Sequence, residues 1–171
     1  MFTQVKVLPK VLTFSEVKYY IFSAVFVGLT VVTPTIFHQF NLAGPTFLPM
    51  HIFVLVAGFL FGWRTGMLVG LLSPLMSYSI THMPPMAILS ETVLELAVYG
   101  LAVGLLREKG FNIWVALFSA MVLGRLARLA LTFDVSFIQI SWPGIALQLA
   151  LIPVIIYLLQ RFLFKKGETK I

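Results

Sequence analysis

Two apolar runs, at about 86–106 and about 112–132, are separated by little more than Arg107-Glu108-Lys109-Gly110. Each is long enough to cross a bilayer as a helix, which takes about 20 residues. Similar runs recur at about 14–32, 50–62, 65–80 and 143–164. Composition agrees: 60% of the residues are hydrophobic and 11% are charged, with a mean hydropathy of +1.01. A soluble domain carries about 25% charged residues. The expected fold is therefore an all-α membrane protein, six transmembrane helices in one compact bundle, with 1–171 forming a single integral membrane domain.

The connections refine this picture. Residues 1–13 mix apolar and basic side chains and are expected to form an interfacial N-terminal segment. Thr13 and Glu16 have the spacing of a capping box, so helix 1 should begin near Phe14. It should stop before Pro34, because the residue ahead of a proline is pushed out of the helical region. No small-residue cleavage site follows the first apolar run, so it is read as a retained helix. Residues 33–49 are uncharged and rich in Pro, Gly and Thr, and are expected to form an outer lid loop.

Helices 2 and 3 are short for full spans, and a re-entrant hairpin is the alternative for them. Gly66 and Gly70 in helix 3, and Gly100 and Gly104 in helix 4, have the four-residue spacing that lets helices approach closely. Ala24 and Gly28 repeat it in helix 1. Residues 133–142 are expected to be a loop, and 165–171 a cytoplasmic tail.

Topology follows from charge. Outside the helix interiors, the basic residues are Lys6, Lys10, Lys18, Arg64, Arg107, Lys109, Arg161, Lys165, Lys166 and Lys170. With six spans, all of them fall on the side of the N-terminus, and the three opposite connections have none. The positive-inside rule then puts both termini in the cytoplasm. It also accounts for the net charge of +6 without a nucleic-acid partner.

Four charges lie within apolar sequence: Glu91 and Glu95 in helix 4, Arg125 and Arg128 in helix 5. The spacings of four and three put each pair on one helix face. In antiparallel neighbours, Glu91 matches Arg128 in depth and Glu95 matches Arg125. Each such charge costs about 2.5–3.5 kcal/mol at a helix centre, so the four must pair or face a wet cavity. Two readings stay open: ion pairs that fix register, or the polar lining of an outward-opening site. Tyr99, Gln148, Trp142, His38 and Asn41 fall at similar depth and join the substrate-binding candidates. His51, Ser77, Tyr78, His82, Gln139 and Ser141 could reach the same region.

Several chemistries have no signature here. The chain has no cysteine, no histidines at metal-ligand spacing, no GxSxG elbow and no phosphate-binding GxxxxGK[ST] loop. No metal, no cofactor and no enzymatic activity are expected.

Four stretches carry a family resemblance: Leu48-Pro-Met-His-Ile-Phe-Val-Leu-Val-Ala-Gly58; Leu72-Ser-Pro-Leu75 with Met83-Pro-Pro85; Glu95-Leu-Ala-Val-Tyr-Gly100 with Gly104-Leu-Leu; and Trp142-Pro-Gly-Ile with Gln148 and Ile152-Pro153. In these the chain resembles the substrate-binding S components of energy-coupling-factor (ECF) vitamin transporters. The resemblance implies a six-helix protein of the prokaryotic plasma membrane that binds a small water-soluble vitamin near the extracellular side. It implies helices 4 to 6 and the outer loops as the site, the first outer loop acting as a lid. Its implied partners are a transmembrane coupling subunit and two ATPase subunits. The small-residue surface of helix 1 that meets the coupling subunit corresponds to Ala24 and Gly28, with glycine where the family pattern has alanine.

Two arginines suit a carboxylate, which a guanidinium grips with paired hydrogen bonds, so a pantothenate-like ligand is favoured. If the glutamates already neutralise them, an uncharged pyrimidine or deazapurine fits as well. The alternative function is a solitary proton- or ion-coupled carrier using Glu91 or Glu95. A purely structural subunit is a further class.

Overall fold

The computed structural model describes residues 16–39 and 49–164, the side chains of residues 35, 37–39 and 160–164 excepted. The described residues form six helices and no strand: α1 (Val17–Gln39), α2 (Pro49–Phe61), α3 (Trp63–Thr81), α4 (Met86–Glu108), α5 (Ile113–Thr132) and α6 (Ser136–Phe164). Four are long and apolar enough to cross a membrane, within Val17–Pro34, Met86–Glu108, Ile113–Thr132 and Ser136–Leu159. α2 is apolar but has only 13 residues, about 20 Å at 1.5 Å per residue. The segments 1–13 and 165–171 lie outside the described residues, as does most of the expected lid, 40–48.

Two helix limits differ from expectation. α1 continues through Pro34 to Gln39, and α6 begins at Ser136, seven residues early, with Pro143 inside it. In an apolar surround a backbone that leaves the helix finds no water for its polar groups, so continuing past a proline is the lesser penalty. Asp134 marks the true start of α6: its carboxylate accepts from the Ser136 backbone N–H at 2.8 Å and the Ser136 hydroxyl at 2.7 Å.

α2 is the centre of the bundle. A helix that is apolar all round buries all round, and Val54 to Phe61 are buried without a break. α1 packs on it through aromatic rings, Phe22 stacking on Phe61 at 4.4 Å and Phe26 meeting the same ring edge-on at 5.8 Å. α3 and α4 close in through glycine. A methyl group added at Gly66 would collide with the Gly100 carbonyl oxygen and come within 2.6 Å of the Gly58 Cα, and one at Gly70 would collide with the Leu96 carbonyl. These backbones touch, as the two small-residue pairs predict.

At one end, Tyr19 donates its hydroxyl to the Arg64 carbonyl at 3.4 Å, and Glu108 accepts from the Trp63 backbone N–H at 3.2 Å. Lys18, Arg64, Arg107 and Lys109 all belong to this end, set by the start of α1, the α2–α3 turn and the α4–α5 turn. The opposite end holds the α3–α4 turn and the first turns of α2 and α6.

Candidate functional site

α4 and α5 are antiparallel neighbours, and Gly124 lets them meet closely: a Cβ there would strike the Tyr99 ring. That contact brings Glu95, one turn before Tyr99, to the level of Arg125. Glu95 is 0% exposed. Its Oε1 lies 3.0 Å from Arg125 Nη1 and 3.5 Å from His51 Nε2, and its Oε2 accepts from Arg128 Nη1 at 3.2 Å. Arg128 Nη2 reaches Glu91 Oε2, also at 3.2 Å. The pairs Glu91–Arg128 and Glu95–Arg125 expected from depth are thus present. A third link, Glu95–Arg128, joins them into one network, and His51 of α2 stands beside it.

The network forms one wall of a cavity of about 400 Å³ at the end of the bundle that carries the α3–α4 turn. This is within the range of small-molecule pockets. Arg125 and Arg128 line it, together with His51, Thr92 and Ser141. The remaining lining is apolar, chiefly Pro34, Met50, Met83, Pro84, Ile88 and Phe137. Five helices contribute, so the cavity exists only when the whole bundle has assembled.

Phe137 organises the polar wall. Its ring centroid is 4.5 Å from the Arg128 Cζ and 5.3 Å from the Arg125 Cζ, so one ring faces both cations. Such contacts add about 0.5–2 kcal/mol each, depending on desolvation. The wall is also short of partners. Beyond the contacts to Glu95, the Arg125 Nε and Nη2, the Arg128 Nε and the His51 Nδ1 are buried without a hydrogen-bond partner. Buried donors in that condition are uncommon and call for a partner.

The sequence candidates divide accordingly. Arg125 and Arg128 line the cavity, and Glu91 and Glu95 hold them from behind. Tyr99 is fully buried against Gly124 and meets His51 edge-on at 5.3 Å, so it supports the wall from beneath. Gln148 is buried in α6 and does not line the cavity. Trp142 does not line it either, its side chain pointing outward and 64% exposed. The side chain of His38 and the whole of Asn41 lie outside the described residues. Phe137 and Ile140 line the cavity from a segment that reads as a loop in the sequence. The helix-capping Asp134-x-Ser136 ahead of an apolar run is the signal that identifies them, since it puts Phe137, Ile140 and Ser141 on one face.

Ala24 and Gly28 sit on the outer face of α1. Ala24 is exposed, and a Cβ at Gly28 would meet nothing within 4 Å, so the pair is not used for packing inside the bundle.

Residues 18–156 match the family model described as ECF transporter, substrate-specific component. Comparison with curated proteins and with solved structures returns no match.

Proposed function

The chain belongs to the substrate-specific components of ECF transporters, and on that premise we propose that it captures a small water-soluble vitamin or precursor in the cavity above Arg125 and Arg128. The family is one of transporter binding subunits, not of enzymes. The observation that carries the proposal is the cavity itself: a pocket of ligand size in which Arg125, Arg128, His51, Thr92 and Ser141 stand among apolar side chains.

The membrane frame fits. Six crossings with both termini inside put the basic end of the bundle in the cytoplasm and the cavity at the extracellular face of the plasma membrane. The vitamin enters from outside. The loaded protein then docks on a transmembrane coupling subunit, with Ala24 and Gly28 offering it a flat surface, and two ATPase subunits drive release inward. The open outer face at Gly28 supports that docking role.

Two ligand chemistries suit two arginines. A pantothenate-like carboxylate is favoured when the arginines are counted alone. The carboxylates of Glu91 and Glu95 balance them, two against two, and this supports the uncharged class, such as a pyrimidine or deazapurine. A thermal-unfolding panel of vitamins and precursors on the detergent-purified protein tests the proposal. A ligand at about 100 times its Kd adds roughly 2.7 kcal/mol. A panel in which none stabilises the protein counts against a vitamin-binding role.

A further inference from the structure

The two glutamates behind the wall are held differently. Glu95 commits both oxygens, one to each arginine, and is fully buried. It fixes the position of the guanidinium groups. Glu91, one turn away on α4, makes a single contact, Oε2 to Arg128 Nη2, and its side chain is 20% exposed. Arg128 is already held without it, by Glu95 at 3.2 Å and by the Phe137 ring. Glu91 is therefore superfluous as an anchor. Its remaining physical effect is electrostatic: it brings the wall from one net positive charge to zero.

Two hydroxyls of the cavity lining complete the pattern. Thr92 donates its hydroxyl hydrogen to the Ile88 carbonyl at 2.8 Å, and Ser141 donates its own to the Phe137 carbonyl at 2.6 Å. Both side chains line the cavity with only lone pairs left to offer. The wall thus presents donors from the arginines and acceptors from the two hydroxyls, with no net charge. An anion placed there meets Arg128 but also the carboxylate paired with it, and finds no use for the hydroxyl acceptors. An amide or lactam edge, carrying a carbonyl and an N–H together, satisfies both sets.

We propose that Glu91 sets the charge this pocket accepts: by neutralising Arg128 it makes the site select an uncharged amide-type ligand over the isosteric carboxylate. This rests on the reading of the cavity as the ligand site.

The test uses two probes of the same shape, benzamide and benzoate, titrated into the detergent-purified full chain at pH 7. The wild type binds benzamide at least about tenfold more tightly than benzoate, the size expected from a unit charge several ångströms away in a partly buried site. In Glu91→Gln, and equally in Glu91→Ala, that preference disappears or reverses. Glu91→Asp, which keeps the charge, restores it. A parallel Ile88→Trp variant, filling the cavity, loses both probes. Benzoate binding the wild type as tightly as benzamide, or a ratio unchanged by Glu91→Gln, overturns the role of Glu91 while leaving the cavity as the site. Neither probe binding the wild type, or binding indifferent to Ile88→Trp, overturns the cavity reading and the inference with it.

Discussion

Helix α4 has two seams of opposite character. Against α3 it presents Gly100, Gly104 and the Leu96 carbonyl, and the two backbones meet with nothing between them. Against α5 it presents Glu91 and Glu95, which reach across to arginines beside a cavity. The first seam has no side-chain freedom and leaves no space. The second is held by ion pairs and leaves room for a ligand. One depends on the other: guanidinium and carboxylate must be placed to within a few tenths of an ångström, and α4 can do that only if its far side cannot slide. Rigid packing on one face is what allows charge and empty space on the other.

Substitutions can break either seam separately. Gly100→Leu should have the largest effect, since its side chain would drive into the Gly66 backbone, which has no alternative position. Overpacking a core costs about 1–3 kcal/mol, more where the obstacle is main chain, and the expected result is protein that does not elute as a folded, monodisperse species from detergent. Glu95→Ala comes next. It leaves two cations without their shared partner, at a cost of about 3–5 kcal/mol, read as a lowered unfolding temperature. Glu91→Gln lowers it much less, because Arg128 keeps Glu95.

Phe137→Ala removes the ring facing both arginines and opens one side of the cavity. About 1–2 kcal/mol of stability should be lost through the cation–π contacts, with ligand affinity falling at least tenfold in a titration. The smallest effect on the chain itself belongs to Gly28→Leu, which adds a side chain where nothing lies within 4 Å. Its unfolding temperature should stay within the change expected for about 0.5 kcal/mol, while co-purification with the coupling subunit drops sharply. A Gly28→Leu protein that assembles normally would remove α1's outer face from the docking account.

Much of this arrangement is legible in the residues. The glycine spacings in 66–70 and 100–104 are answered by main-chain contact, because small residues at that interval have few other uses in apolar helices. The matched depths of Glu91 with Arg128 and Glu95 with Arg125 follow from the antiparallel geometry of two helices joined by a short turn. The cross-link from Glu95 to Arg128 is beyond such bookkeeping, since it depends on helix rotation and rotamers. Pro34 and Pro143 misdirect the helix limits: the steric rule for proline is a rule for chains with water as the alternative partner. The error at 133–142 hides Phe137, and with it one wall of the cavity. The place of His51 beside Glu95 depends on α2 being the central helix, a consequence of packing among four neighbours that no local pattern encodes.

We propose that the transported ligand sits in the cavity above Arg125 and Arg128. Ile88 lines that cavity but makes none of the charged contacts, so Ile88→Trp blocks the space and spares the network. The direct measurement is the binding isotherm of the most stabilising vitamin for the wild type and for Ile88→Trp, with unfolding temperatures recorded for both. The prediction is saturable binding by the wild type and at least a hundredfold loss in the variant, with its unliganded stability nearly unchanged. Equal affinity in the two proteins would contradict the claim and move the ligand site elsewhere in the bundle.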